Sequence, residues 1–351
     1  MKSKVFFVKA VNHKSAAAGI SSIFRAVKAP EIFRGNDFVA VKTHFGEKNS
    51  VTHVPPQFIG EVGRLIKKNG GVPFLTETST LYKGNRSDAV VHTMHAHAHG
   101  FTPEKTGMAV IMADGLKGDY EHEVVLPNGS KVMVAGMLKK ISSIVAVSHP
   151  TGHIALGFGG AIKNLGMGLS SRKGKLVQHS SVKPSVAAAK CTGCGRCIKW
   201  CPVDAIEMTP KRKALIKDKK CIGCGECLTE CRFDAVLYNW EMDNTRIQEL
   251  TAEHAYGVVL GKKGLYVNYL LNFTKDCDCF GTKKKALIKN IGILASLDPV
   301  ALDAATIDMV ENEAKIPLEQ LAHEGIDPRV QIRHAEKIGL GFSQYDIVSC
   351  K

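Results

Sequence analysis

Eight of the eleven cysteines fall in one short window, and they form a repeat. The first run reads Cys191-Thr-Gly-Cys194-Gly-Arg-Cys197-Ile-Lys-Trp-Cys201-Pro202, and the second Cys221-Ile-Gly-Cys224-Gly-Glu-Cys227-Leu-Thr-Glu-Cys231-Arg232. Both are C-x2-C-x2-C-x3-C, a spacing that closes three thiolates around one face of a cubane iron–sulfur cluster. The glycines between them let the backbone wrap tightly, with its amides free to point at sulfur. In two-cluster ferredoxins the fourth cysteine of each run serves the other cluster. The expectation is therefore two [4Fe-4S] clusters, one on Cys191, Cys194, Cys197 and Cys231, the other on Cys201, Cys221, Cys224 and Cys227. Arg232 stands where proline usually follows, which leaves the local turn open but not the ligand set. Zinc knuckles would favour two CxxC pairs about 15 to 20 residues apart. Here each run has four thiolates, and the apolar framing repeats as well (Ile198 with Ala205-Ile206, Leu228 with Ala235-Val236).

Cys277-Asp278-Cys279 stands apart. Two thiols one residue apart after a strand can hold a soft metal, do redox chemistry, or simply pack as buried thiols. On an extended chain both sulfurs point to one side and Asp278 to the other. The eight cysteines of the runs already fill two clusters, so this pair is expected to form a second, separate site. Cys350 is incidental.

Two strand ends carry further chemistry. Phe38–Lys42 runs into Thr43-His44-Phe45-Gly46-Glu47, and Ile144–Ser148 into His149-Pro-Thr-Gly-His153, then Gly157-Phe-Gly159-Gly160-Ala-Ile-Lys163-Asn164. In open α/β sheets ligands gather beyond such carboxyl ends. Neither segment is a nucleotide fingerprint, since Ile162 stands where a third glycine is needed and no P-loop occurs. The glycine-rich turn can present amides to an anion with Lys163 beside it, or be a tight packed loop. His92, His95, His97 and His99 lie on an expected helix ending at Gly100. At about 100° per residue, His92, His95 and His99 share a face opposite Val90, Met94 and Phe101. That spacing can chelate a metal, but a solvated polar face explains it more simply.

Around these residues strands alternate with helices. Val5–Val8, Phe38–Lys42, Val72–Thr76, Met108–Ala113, Ile144–Ser148 and Leu265–Leu271 read as strands. One helix runs through Ile20, Ile23, Phe24 and Val27 behind a Ser15 cap, and Pro56 opens another with Phe58, Val62, Leu65 and Ile66 on one face. A third carries Ile247, Leu250, His254 and Val258, and Asp298 caps a fourth with Pro299 at its first position. Pro127-Asn128-Gly129-Ser130 turns a hairpin between Glu123–Leu126 and Lys131–Val134. The fold class is α/β, a mostly parallel sheet with helices on both faces plus an inserted bacterial-type two-cluster ferredoxin domain. The division is 1–186 and 241–351 for the two parts of the α/β domain, and 187–240 for the ferredoxin-like domain.

In 351 residues, 44% hydrophobic and 23% charged residues exclude bulk disorder. No apolar run reaches the ~18 to 20 residues of a membrane helix, and the start has no signal-peptide pattern, so the expected location is the cytoplasm. Lys and Arg outnumber Asp and Glu, 47 to 33, for a net +14. Two clusters at a net −2 each would lower that to about +10. Lys211, Arg212, Lys213, Lys217, Lys219 and Lys220 flank a short strand, Ala214–Ile216, between the runs. They offer a docking face to an acidic redox partner of a flavodoxin- or ferredoxin-dependent system, or form a solvated hairpin face. Nucleic acid is disfavoured, because no aromatic residues interleave them.

Several long phrases together resemble one family, "domain of unknown function 362", in its ferredoxin-containing form. They are Val41-Lys-Thr-His-Phe-Gly-Glu47, Ala113-Asp-Gly115, Gly157 through Gly168 with Arg172 to Lys175 and Gln178-His179, Cys277-Asp-Cys279, and Ile291 through Val300. Where the family usually has Lys-Gly-His, this chain has Pro150-Thr151-Gly152-His153. The resemblance implies an iron–sulfur protein and no particular substrate. The leading expectation is electron transfer between two clusters and a site involving His44, His153, Lys163, Cys277 and Cys279, as in an oxidoreductase. Lys163 would bind an anionic group of a small-molecule ligand, the histidines would handle protons, and the thiols would bind metal or exchange electrons. The alternatives are a non-catalytic electron carrier and a metal-handling or assembly protein using Cys277 and Cys279.

Overall fold

The computed structural model describes residues 2–33, 35–82, 84–179, 183–221, 223, 225–237 and 243–350. Seven strands form one sheet in the order Tyr345–Ser349, Ser3–Lys9, Gly292–Ser296, Lys263–Leu270, Ser143–Ser148, Phe38–Lys42, Val72–Thr76. Six run the same way, and Gly292–Ser296 alone is antiparallel to its two neighbours. Side chains alternate across the pleat. Val39, Val41, Val145, Val147, Leu265 and Val267 pack with Ile20, Ile23, Phe58 and Val62 of helices His13–Ala26 and Pro56–Lys68. Ala40, Ile144, Ala146, Tyr266 and Leu294 face the other layer, with Ala252 and Val258 of Asn244–Val259 and Leu302 and Val310 of Pro299–Ala314. Covering both faces is what a largely parallel sheet requires, and each buried aliphatic side chain contributes about 1.5–3 kcal/mol.

Three local expectations are corrected. Asn12, not Ser15, caps the helix His13–Ala26; Ser15 is its third residue and bonds back to the Asn12 amide, in a capping box. Met108–Ala113 is no strand. It forms a single parallel bridge, Val110 to Leu75, with the Ile111 and Ala113 amides bonding the Leu75 and Glu77 carbonyls beside it. The histidine helix, Ala89–Ala98, has no solvated histidine face: His92 and His95 are buried while Val90 and Met94 are exposed. The reason is polar. The carbonyls of Phe45 and Gly46 accept bonds from His99 Nδ1 (2.7 Å) and His95 Nε2 (3.0 Å), so the donor-bearing face turns inward.

The hairpin Glu121–Val125 with Lys131–Ala135 forms around the expected turn, and Asp298 Oδ1 caps Val300 and Ala301. No helix among the described residues is long and apolar enough to cross a membrane.

Residues 183–237 carry two small ladders, Ser185–Val186 with Val236–Leu237 and Ile206–Met208 with Ala214–Ile216, around a separate apolar cluster that includes Cys197, Cys227 and Cys231. Its two halves repeat. Gly195 and Gly225, at φ +75° and +79°, open the helices Arg196–Lys199 and Glu226–Glu230. Asp204 and Asp234 have φ of 49° and 51°, and the following amides, Ala205 and Ala235, donate to Cys201 Sγ and Cys231 Sγ at 3.2 and 3.3 Å. Arg232 in place of proline leaves the turn the same.

Candidate functional site

Because the strands run in parallel, their carboxyl ends share one edge, and the segments that follow line a cavity of about 700 Å³. Phe38–Lys42 delivers Lys42 and His44, Val72–Thr76 delivers Glu77, and Ser143–Ser148 delivers His149 and His153. Cys277, Asp278 and Cys279 follow Lys263–Leu270. Helix Ala161–Gly166 contributes Lys163 and Asn164, and helix Arg172–His179 contributes Lys175 and His179. His44, His153, Lys163, Cys277 and Cys279 thus open on one space.

Most charges on the wall are paired. Lys42 is buried against Glu77 and donates to Asn164 Oδ1 at 2.7 Å. Arg86 Nε reaches Glu47 Oε2 at 3.0 Å, its Nη2 bonds the Tyr82 hydroxyl, and its Nη1 lies 2.9 Å from His44 Nε2. Lys175 donates to Thr78 Oγ1 (2.6 Å) and the Ser79 carbonyl. Lys163 Nζ has no hydrogen-bond or ion-pair partner among the described residues; burial, and after it the charges of Arg86 and Lys42, bring its pKa down to about 8. Burial likewise brings Lys175 to about 8. His44 and His153 are pushed well below the ordinary histidine value, first by burial and then by Arg86 and Lys163 respectively, so both rings are neutral at pH 7.

His149 is the opposite case. Its Nδ1 meets Asp278 Oδ2 at 2.7 Å and its Nε2 meets the Leu271 and Asn272 carbonyls at 3.0 and 3.2 Å. Acceptors at both nitrogens hold both protons. Burial opposes the charge, but Asp278 and the carbonyls outweigh it and raise the pKa. Ser50 and Thr52 hydroxyls add bonds to Asp278 Oδ1 at 3.1 and 2.5 Å.

Cys277 and Cys279 lie in a turn, not on extended chain, and are joined by a disulfide. Asp278 points away from them, to His149. His153 and the two sulfurs form a group whose ligand atoms all lie within 4.8 Å of one another. His153 Nδ1, however, accepts from the Ala155 and Leu156 amides, both at 3.1 Å. In the neutral ring the proton then sits on Nε2, which makes His153 a donor and not a ready metal ligand. The glycine-rich turn is also taken: the Ala161 and Ile162 amides donate to Asp303 at 2.7 and 2.8 Å, so the anion it holds is an internal carboxylate. Gly152 belongs here because a Cβ would come 2.3 Å from the Lys275 carbonyl oxygen, on the loop leading to Cys277.

Of the runs, Cys191, Cys194, Cys197 and Cys231 line one small cavity, and Cys201, Cys221 and Cys227 another. Cys224 lies outside the described residues. Amides of Ala214 and Gly223 approach Cys191 Sγ and Cys221 Sγ at 3.4 and 3.5 Å.

Arg86 and Glu77 were not singled out by sequence, and Lys42, Lys175, His149 and Asp278 were given no role in the site there. A lysine closing an apolar strand and a histidine opening the next loop, as at Lys42 and His149, were the available signals.

A family model described as "Domain of unknown function (DUF362)" matches residues 39–308. The chain belongs to that family. The DUF362 match spans every residue of the cavity wall and both cysteine runs. No curated protein matches. Among solved structures, the chain is similar to the lactate racemase apoprotein from Thermoanaerobacterium thermosaccharolyticum, at 10% identity and TM-score 0.43 over 89% of this chain and 58% of that one. It is similar also to a Thermotoga maritima protein, at 9% identity and TM-score 0.45 over 88% and 61%. The chain spans about three fifths of the length of each. Neither likeness bears on what this DUF362 protein binds or does.

Proposed function

We propose that this chain is an iron–sulfur oxidoreductase of the ferredoxin-containing DUF362 form. Its runs hold two [4Fe-4S] clusters, and electrons pass between them and a reaction site in the cavity. The observation that carries this reading is the sorting of the described run cysteines into two sets, each mixing residues of both runs. The donor set fits, being all thiolate and ringed by backbone amides. Clusters so bound supply one-electron transfer, at potentials anywhere from about −700 to +450 mV. The chain's own residues do the rest. Helix Arg172–His179 stands between the second run and the cavity: a Cβ on Gly225 would touch Leu176 at 3.7 Å, while Lys175 and His179 line the cavity wall. Glu230 ties the same run to Lys117 and Arg196. Neutral His153, its Nδ1 taken by two backbone amides, has its Nε2 N–H left to donate to a bound group, while His44 is held between the Gly46 amide and Arg86. Lys211, Arg212, Lys217, Lys219 and Lys220 are exposed and offer an acidic partner a docking face. The domain division 1–186, 187–240 and 241–351 belongs to this reading; the separate apolar cluster supports a distinct middle unit, though one that takes in Ser185–Val186, and residues 238–242 lie outside those described.

The test is composition. Anaerobically purified protein is expected to contain about eight iron and eight acid-labile sulfide per chain. Zinc in place of iron, or one cluster after full reconstitution, overturns the reading.

A second reading, a soft-metal delivery site at His153, Cys277 and Cys279, draws on their closeness. It requires reduction of the disulfide and release of two amide bonds by His153, and metal binding to the reduced protein tests it.

A further inference from the structure

We propose that the cavity binds an organic anion, a carboxylate or phosphate ester on an apolar body, with its anionic group on Lys163 Nζ. This rests on the reading of the cavity as the reaction site. Every other cation on the wall has a place: Lys42 on Glu77, Arg86 on Glu47, His149 on Asp278, Lys175 on two oxygens of the Thr78–Ser79 segment. Lys163 Nζ alone of these has neither ion pair nor hydrogen bond among the described residues. Lys163 is half-buried on the cavity wall, so an incoming anion meets a cation there with no competing protein partner.

The lysine is also confined. A Cβ on Gly159 would come 2.9 Å from Lys163 Cδ, so the stem lies along the glycine. The amides of the glycine-rich turn cannot substitute, since Asp303 holds them. The His153 Nε2 proton is a further donor in the same space. The remaining wall includes Leu81, Ile154, Met167, Ile247 and Phe280, so a bare inorganic anion would leave most of about 700 Å³ unfilled. An organic body fits the apolar wall, and one charged group fits Lys163.

The experiment titrates the purified full chain calorimetrically with 2-naphthoate, 2-naphthyl phosphate, 2-naphthamide and inorganic phosphate, assaying iron and sulfide on the same sample. One of the two organic anions is expected to bind about tenfold to a hundredfold tighter than the amide, the worth of a hydrogen bond to a charged group. Which anion wins separates carboxylate from phosphate recognition. The preference should disappear in Lys163→Met, and the bound anion should protect wild-type Lys163 from acetylation, read by peptide mass spectrometry even if the variant does not fold. Equal binding of amide and anions, no binding of either anion, inorganic phosphate binding as tightly as its ester, or unprotected Lys163 would overturn the inference. Full iron with no preference sinks this inference alone. A clear preference in protein that cannot be loaded with iron sinks the electron-transfer reading and leaves this one standing.

Discussion

Three side-chain donors meet at Asp278, from Ser50, Thr52 and His149, and hold its carboxylate away from the two cysteines that flank it in sequence. Burial alone would raise its pKa, but His149 and the bonds from His149 and Thr52 hold it well below the usual carboxylate range. The signs of the pair run in opposite directions. Asp278, depressed, contributes stability above its unfolded value of about 3.9 and loses it as the pH falls. His149, raised, contributes fully below about 6.5 and loses it as the pH climbs through its folded value. Asp278→Asn is therefore expected to cost about 3–5 kcal/mol, because it strands a buried imidazolium. In urea titrations the gap between wild type and variant should be widest near pH 5 to 6 and narrower at pH 9. A gap that is flat across that range would mean His149 is not charged in the fold.

The elements of the site are fixed by partners distant in sequence. Helix Ala161–Gly166 begins at Gly160, which has no side chain to cap it, and Asp303 from helix Pro299–Ala314 bonds its first two amides while accepting from Asn268 Nδ2 at 2.8 Å. Burial pushes Asp303 up to about 6, so its ionised form is held by these bonds against desolvation. In Asp303→Asn only one carbonyl oxygen remains for the two amides, and a buried N–H loses its acceptor. The expected loss is about 1–3 kcal/mol in chemical denaturation. An unchanged midpoint would show that the helix does not depend on this carboxylate. The histidine helix follows the same rule, its buried face chosen by two carbonyls of the segment that carries His44.

Across the whole molecule, the second cysteine run touches helix Arg172–His179, whose Lys175 and His179 line the cavity. If each fourth cysteine serves the opposite run, Cys201→Ala should damage the cluster of Cys221, Cys224 and Cys227, and Cys231→Ala that of Cys191, Cys194 and Cys197. Electron paramagnetic resonance of the reduced single variants, compared with triple variants of each run, reads the pairing. Spectra that match the variant's own run would reverse the assignment. By contrast, Cys277→Ser/Cys279→Ser should leave iron and sulfide unchanged, since neither residue lines the two small cavities.

The sequence by itself determined the alternation of strand and helix and, through its long phrases, the family. Both are local: apolar periodicity shows in a few consecutive residues, and a phrase such as Gly157 through Gly168 is contiguous. The caps show the limit, for Asp298 beside Pro299 was legible, whereas Asn12 and Ser15 needed the direction of two side chains. Tertiary structure alone decided that Met108–Ala113 makes one bridge, that the histidines face inward, and that the glycine-rich turn already holds Asp303. It alone left Lys163 unpaired beside the pairs of Lys42, Arg86 and His149. Those outcomes depend on which donor meets which acceptor across separations from 35 residues, between Lys42 and Glu77, to 142, between Ala161 and Asp303, and such a meeting leaves no mark in local spacing.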